Sequence, residues 1–183
     1  MQHTFEVLEG KLTDEEIKYL DDIVIKFSGP DPKPGFEGTG LVTEESYQNS
    51  DQLIEWDPDG VLKKVIDIVE DYFLAKYEML GELKFNRVFG VTMHEGAELP
   101  AHRDEDANND GIFDGKKRSH VCSLILNNDF EGGDLVFPDL QQSVTAKAGD
   151  MVVFPGYYLS HGVAKITKGS RRVLLVFFYD VMS

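Results

Sequence analysis

Two histidines and an aspartate in this sequence are spaced as metal donors. His102 and Asp104 stand two residues apart, so a strand through them would project both side chains from one face. His161 comes later, after the turn residues Phe154-Pro155-Gly156. Two imidazoles and a carboxylate on one side of an ion form the facial triad that suits Fe(II) and leaves coordination positions open. Those positions would admit a chelating 2-oxo acid and O2. A dicarboxylate held there needs a cation at its far end. Arg171 offers a planar fork that donates two parallel hydrogen bonds to a carboxylate. Arg172 is the rival, but neighbours on a strand face opposite ways, which leaves Arg172 on the other face with its head in water.

These residues need a scaffold, and the periodicity supplies one. An extended start at 4–8 precedes a helix signature. Thr13 and Glu16 have capping-box spacing, Asp14 and Glu15 suit the positive end of the helix dipole, and Ile17, Leu20, Val24 and Phe27 share a face. Residues 28–40, with three prolines and four glycines, read as an irregular loop, either a lid over the site or simply a mobile connection. A second helix begins near Asp59 and Gly60, and Leu62, Val65, Ile66, Val69, Tyr72 and Phe73 form a wide apolar stripe.

From residue 82 the pattern changes to strands at 84–93, 99–104, 119–126, 134–137, 143–146, 151–154, 159–163 and 171–180. About eight short strands after two helices predict a jelly roll with helices packed on the major sheet. The last strand is apolar on both faces from Val173 to Phe178, so both sides should be covered. One domain is expected over residues 1–183, with 1–81 as helical support and loop and 82–183 as the jelly-roll core.

The 183-residue chain carries a formal charge of −15 and is 42% hydrophobic, with 12 Phe. That acidity opposes nucleic-acid and anionic-membrane partners. Cys122 is the single cysteine, which rules out an internal disulfide or a thiolate metal cluster within the chain. The start shows no basic-then-apolar leader, and no run approaches a membrane span. A cytoplasmic setting is expected. Nothing in the sequence addresses the oligomeric state.

The ordered set His102-x-Asp104, Glu131-Gly132-Gly133-Asp134-Leu135, Gly149-Asp150, His161-Gly162-Val163 and Gly169-Ser170-Arg171, with Gly96 ahead of the first histidine, resembles the 2-oxoglutarate/Fe(II) dioxygenase superfamily. The similarity runs from about residue 85 to 180 and is greatest to the prolyl 4-hydroxylase-like branch. It implies a double-stranded β-helix. It further implies Fe(II) on His102, Asp104 and His161, with 2-oxoglutarate chelating the metal and anchored by Arg171. The implied reaction is O2-dependent hydroxylation of a C–H bond with release of succinate and CO2; dependence on ascorbate is left open. Ser123, Ile125 and Leu135 would face the cosubstrate. Two positions depart from the pattern. Met93 stands where many relatives carry a tyrosine against 2-oxoglutarate, and Arg171 stands where collagen-type enzymes use lysine.

A prolyl or other side chain of a peptide or protein is the leading substrate. The nearest rival is an oxygenase acting on a free amino acid or another small molecule. A non-oxygenase, cupin-like metal-binding module is the alternative of another class, although such modules usually offer His-x-His. His94 and His120 are expected to take surface or packing roles, and His3 carries no signal. Asp106, Asn108, Asp110 and Asp114 reproduce part of an EF-hand loop, but Lys117 occupies the position that needs a bidentate Glu. A turn-rich loop beside the site is the expectation there.

Overall fold

The computed structural model describes residues 3–28, 36–43, 57, 59–76, 83–104 and 118–180. Strand β1 (Glu6–Leu8) leads into helix α1 (Asp14–Ser28). The capping box forms as its residues require. The Thr13 N–H donates to Glu16 Oε2 at 2.9 Å, and the Glu16 N–H donates to Thr13 Oγ1 at 3.2 Å. Strand β2 (Phe36–Thr43) follows, then helix α2 (Val61–Lys76). The Asp57 carboxylate accepts the Lys63 N–H at 3.0 Å, satisfying one of the free donors in the first turn of α2.

The remaining strands are β3 (Leu83–His94), β4 (Leu99–His102), β5 (Arg118–Ile125), β6 (Phe130–Gly132), β7 (Leu135–Phe137), β8 (Gln142–Val144), β9 (Met151–Phe154), β10 (His161–Val163) and β11 (Ile166–Asp180). They form a seven-stranded sheet ordered β1-β9-β5-β11-β3-β2, with β6 attached to β11, and a four-stranded sheet ordered β4-β10-β7-β8. Every pairing is antiparallel. The fold is the expected jelly roll with helices on the major sheet.

Two apolar clusters explain the layering. On the outer face of the major sheet, Leu20, Val24, Leu62, Val65, Ile66, Val69 and Phe73 from the helices pack on Leu124, Met151, Val153, Leu174, Val176 and Phe178. Between the sheets, Val91, Met93, Ile125, Val152 and Val173 meet Leu135, Phe137 and Val163. Alternation along β11 therefore sends even-numbered residues to the helices and odd-numbered ones inward, at least from Val173 to Val176. Each fully buried aliphatic or aromatic side chain contributes about 1.5–3 kcal/mol, so both clusters resist a slip in register. Among the described residues no helix is long and apolar enough to cross a membrane.

Several boundaries differ from the sequence expectations. The 28–40 segment is not wholly irregular, because β2 begins at Phe36 and pairs with β3 from Phe36↔Met93 to Thr43↔Arg87. Its glycines predict a loop, yet pairing with a long neighbouring strand outweighs local propensity. The last strand starts at Ile166 rather than Arg171, since its first residues pair with β6. Strand β4 ends at His102, leaving Asp104 in the turn beyond it. The EF-hand-like 106–114 loop lies outside the described residues, and so do residues 29–35 of the 28–40 segment expected as a lid or a mobile connection.

Candidate active site

Strand pairing brings the candidate metal donors together. His161 on β10 is the register partner of His102 on β4, and their ring centroids are 4.6 Å apart. Asp104, just past β4, is fixed by its backbone, whose N–H donates to the Gly156 carbonyl at 3.1 Å. The Asp104 carboxylate oxygen Oδ1 lies 3.5 Å from His161 Nε2. One donor atom from each of His102, Asp104 and His161 falls within 4.8 Å of the others.

The protonation pattern suits a cation. His102 Nδ1 sits 3.0 Å from the Pro100 carbonyl oxygen, and His161 Nδ1 sits 2.9 Å from that of Leu159. A carbonyl only accepts, so each Nδ1 carries the proton and each Nε2 presents a lone pair. The carboxylate oxygen Asp104 Oδ2 is buried and has no hydrogen-bond partner among the described residues. An ionised carboxylate so placed is costly unless a positive charge compensates it. Two imidazoles held through Nδ1 and one carboxylate fit a divalent metal.

Outside this triad the ligand-bearing segments are braced together. Arg103, between His102 and Asp104, donates from Nε to the Tyr158 carbonyl at 3.2 Å and from its terminal nitrogen to Asp139 at 2.8 Å. The same Asp139 oxygen accepts the Ser160 N–H at 3.0 Å. Arg103 and Asp139 thus link the β4 end to the turn that delivers His161.

Arg171 is 3% exposed and points between the sheets. Among the described residues no carboxylate forms an ion pair with it. Burial pushes its pKa down to about 10, with the nearby Asp134 charge opposing the shift, so it remains a cation at neutral pH. It shares a recess with Ile125, Phe130, Gly133, Asp134 and Leu135. Gly133 makes room, because a Cβ there would lie 2.9 Å from Arg171 Cδ. Asn127 clamps the main chain on either side of Arg171: its Nδ2 donates to the Ser170 carbonyl at 2.7 Å, and its Oδ1 accepts the Arg172 N–H at 2.8 Å.

Ile125 and Leu135 therefore lie beside Arg171. Met93 is its register partner on β3 and is 1% exposed. Ser123 is equally buried, and its hydroxyl has no hydrogen-bond partner among the described residues. Arg172 does not end in water. It donates to Asp21 of α1 from Nε at 2.6 Å and from its terminal nitrogen at 2.9 Å. His120 packs inside the helix layer against Phe73 at 4.8 Å, and His94 bonds Ser170 at 2.9 Å. His3 stacks on Tyr158 at 4.7 Å. No spacing or motif pointed to Asn127, Asp21 or Asp139 as partners.

The sequence model of the 2OG-Fe(II) oxygenase superfamily matches residues 84–180, more than half of the chain. The chain belongs to that superfamily. Human prolyl 3-hydroxylase 2 is 37% identical over 67 residues, covering 33% of this chain and 10% of that protein. A PKHD-type hydroxylase of Nitrosomonas eutropha is 35% identical over 105 residues, covering 54% of this chain and 43% of that protein. The chain thus spans less than half the length of these curated relatives. The viral collagen prolyl hydroxylase of Paramecium bursaria Chlorella virus-1 superposes with a TM-score of 0.73 at 18% identity, covering 97% of this chain and 96% of that one. A Pseudomonas putida prolyl-4-hydroxylase gives 0.62 at 16% identity, covering 97% and 93%. At these identities the superpositions establish the shared fold. Membership of the 2OG-Fe(II) oxygenase superfamily disfavours the cupin-like reading.

Proposed function

We propose that this oxygenase hydroxylates a C–H bond of a prolyl or other side chain in a peptide or protein. In this reading His102, Asp104 and His161 hold Fe(II), and Arg171 holds the distal carboxylate of 2-oxoglutarate. Met93, Ser123, Ile125 and Leu135 line the cosubstrate, and residues 1–81 support an 82–183 core within one domain. The observation that carries the metal assignment is the convergence of the three donors within 4.8 Å. The named activities of the prolyl hydroxylase relatives support the peptide substrate.

Bound Fe(II) and 2-oxoglutarate together supply the oxidising chemistry: substrate, 2-oxoglutarate and O2 become hydroxylated substrate, succinate and CO2. The chain's own residues do the positioning. The two backbone carbonyls hold each imidazole with Nε2 toward the metal, and Asp104 offsets part of the ion's charge. Arg171, already stripped of water, gives a dicarboxylate a partner that it does not have to share with solvent.

Titration with Fe(II), Mn(II) or Co(II) tests the metal reading. Binding should be abolished in His102→Ala and in Asp104→Ala; metal uptake that ignores both substitutions would sink the assignment. A panel of prolyl peptides, other peptides and free metabolites, read by succinate above the uncoupled background with and without ascorbate, tests the substrate. Turnover with free amino acids alone would replace the peptide reading.

A further inference from the structure

Gly156 belongs to the turn between β9 and β10 and is buried. Its φ is not in the left-handed region, so its backbone would accept an ordinary side chain. Space is what forbids one. A Cβ at Gly156 would overlap Asp104 Oδ2 and stand 2.9 Å from Asp104 Cγ, with Val121 Cγ1 next at 3.1 Å. The same residue's carbonyl accepts the Asp104 N–H, so the Asp104 backbone is tied to the very residue its carboxylate rests on. The carboxylate therefore cannot move away by shifting the main chain as a whole.

Gly162 provides the contrast. It also lacks a positive φ, yet a Cβ there would meet backbone, at 2.6 Å from Leu99 O and 3.0 Å from Ala101 N. Substitution at Gly162 would push β4 from β10 and disturb the fold. At Gly156 the main obstacle is the far end of one side chain, which can rotate at small cost. Rotation would spare the fold and move the donor.

We infer that Gly156 is a positioning residue of the metal centre: its missing side chain is the seat that aims the Asp104 carboxylate at the ion. The inference rests on the metal reading proposed above. The bare α-carbon lets Asp104 stand flush against the turn, and among the described residues no donor competes for Oδ2. Any side chain at 156 turns the carboxylate away from the His102–His161 pair.

The test measures Mn(II) and Co(II) affinity of wild type, Asp104→Ala and Gly156→Ala, together with the thermal midpoints of the metal-free proteins. Gly156→Ala is expected to weaken metal binding about 10- to 100-fold, the range seen when a support of a metal ligand is lost. Its Tm in the metal-free form should change little. Wild-type affinity in Gly156→Ala, beside lost affinity in Asp104→Ala, overturns this inference and leaves the metal reading standing; no binding by wild type overturns both. The double variant Asp104→Ala/Gly156→Ala covers a folding failure. If Gly156→Ala unfolds and the double variant folds, the collision is with the carboxylate, as inferred. If both unfold, Gly156 serves packing and the inference fails.

Discussion

Arg171 and Arg172 are neighbours on β11, yet they occupy opposite physical worlds. Arg172 faces the helices, where Asp21 takes both ends of its fork, and that bond raises its pKa above the ordinary arginine value. Arg171 faces the space between the sheets, where burial lowers its pKa to about 10 against the opposing Asp134 charge. One guanidinium is ion-paired to α1, and the other has no ion pair among the described residues. The outer face spends its charge on joining α1 to the sheet. Among the described residues the inner face leaves two buried oxygens without a hydrogen-bond partner, Asp104 Oδ2 and Ser123 Oγ, and the helix side leaves one, Asp57 Oδ1. An interior that keeps unpaired polar atoms sacrifices stability for binding.

The largest effect expected from this contrast follows replacement of Arg171. Arg171→Met keeps much of the volume and removes the charge. It should weaken 2-oxoglutarate binding by about 1.5–3 kcal/mol, or roughly 10- to 150-fold, the worth of a charged hydrogen bond. The metal-free, cosubstrate-free protein should be as stable as wild type or more so, because an unpaired buried charge has been removed. Calorimetric titration and urea unfolding read the two quantities. Unchanged affinity would move the anchor to another residue, and a large loss of stability would make Arg171 a structural group like its neighbour.

Arg172 should behave the opposite way. Arg172→Ala strands Asp21, whose side chain is only 15% exposed, and should cost about 1–3 kcal/mol of unfolding free energy. Affinity for 2-oxoglutarate should stay within the error of the measurement. A variant that folds normally but loses cosubstrate would erase the distinction between the two faces.

What the sequence revealed, and what it hid, follows the same division. His102, Asp104, His161 and Arg171 were legible because few side chains bind metal or grip carboxylates, and their order along the chain is distinctive. The helix stripes and the doubly apolar β11 were legible because burial imposes a period. Strand β2 was not, since its glycines speak only of local freedom while its pairing with β3 is a tertiary fact. The expectation that strand alternation aligns His102 with Asp104 also missed the actual cause, which is the backbone bond from Asp104 to Gly156. Arg172 was assigned to water because its partner, Asp21, lies 151 positions away. Through-space partners of that kind leave no spacing to read.

Ser123 provides the finest discrimination between the two faces. On β5, Cys122 and Leu124 join the helix-side cluster while Val121 and Ile125 join the interior one, so alternation turns Ser123 inward. A buried hydroxyl with no partner is a net cost in the empty protein, and apolar residues of similar size would pack at least as well there. Ser123→Ala should therefore leave the stability of the empty protein unchanged or slightly raised. If Ser123 lines the cosubstrate as proposed, 2-oxoglutarate would give the hydroxyl an acceptor, and losing it should weaken binding by about 0.5–1.5 kcal/mol, the net value of one neutral hydrogen bond. Opposite signs in the two measurements would mark the hydroxyl as a cosubstrate contact. A loss of stability with no loss of affinity would instead mean that Ser123 completes the core, and the line between a satisfied outer face and a waiting inner one would have to be redrawn at Arg171.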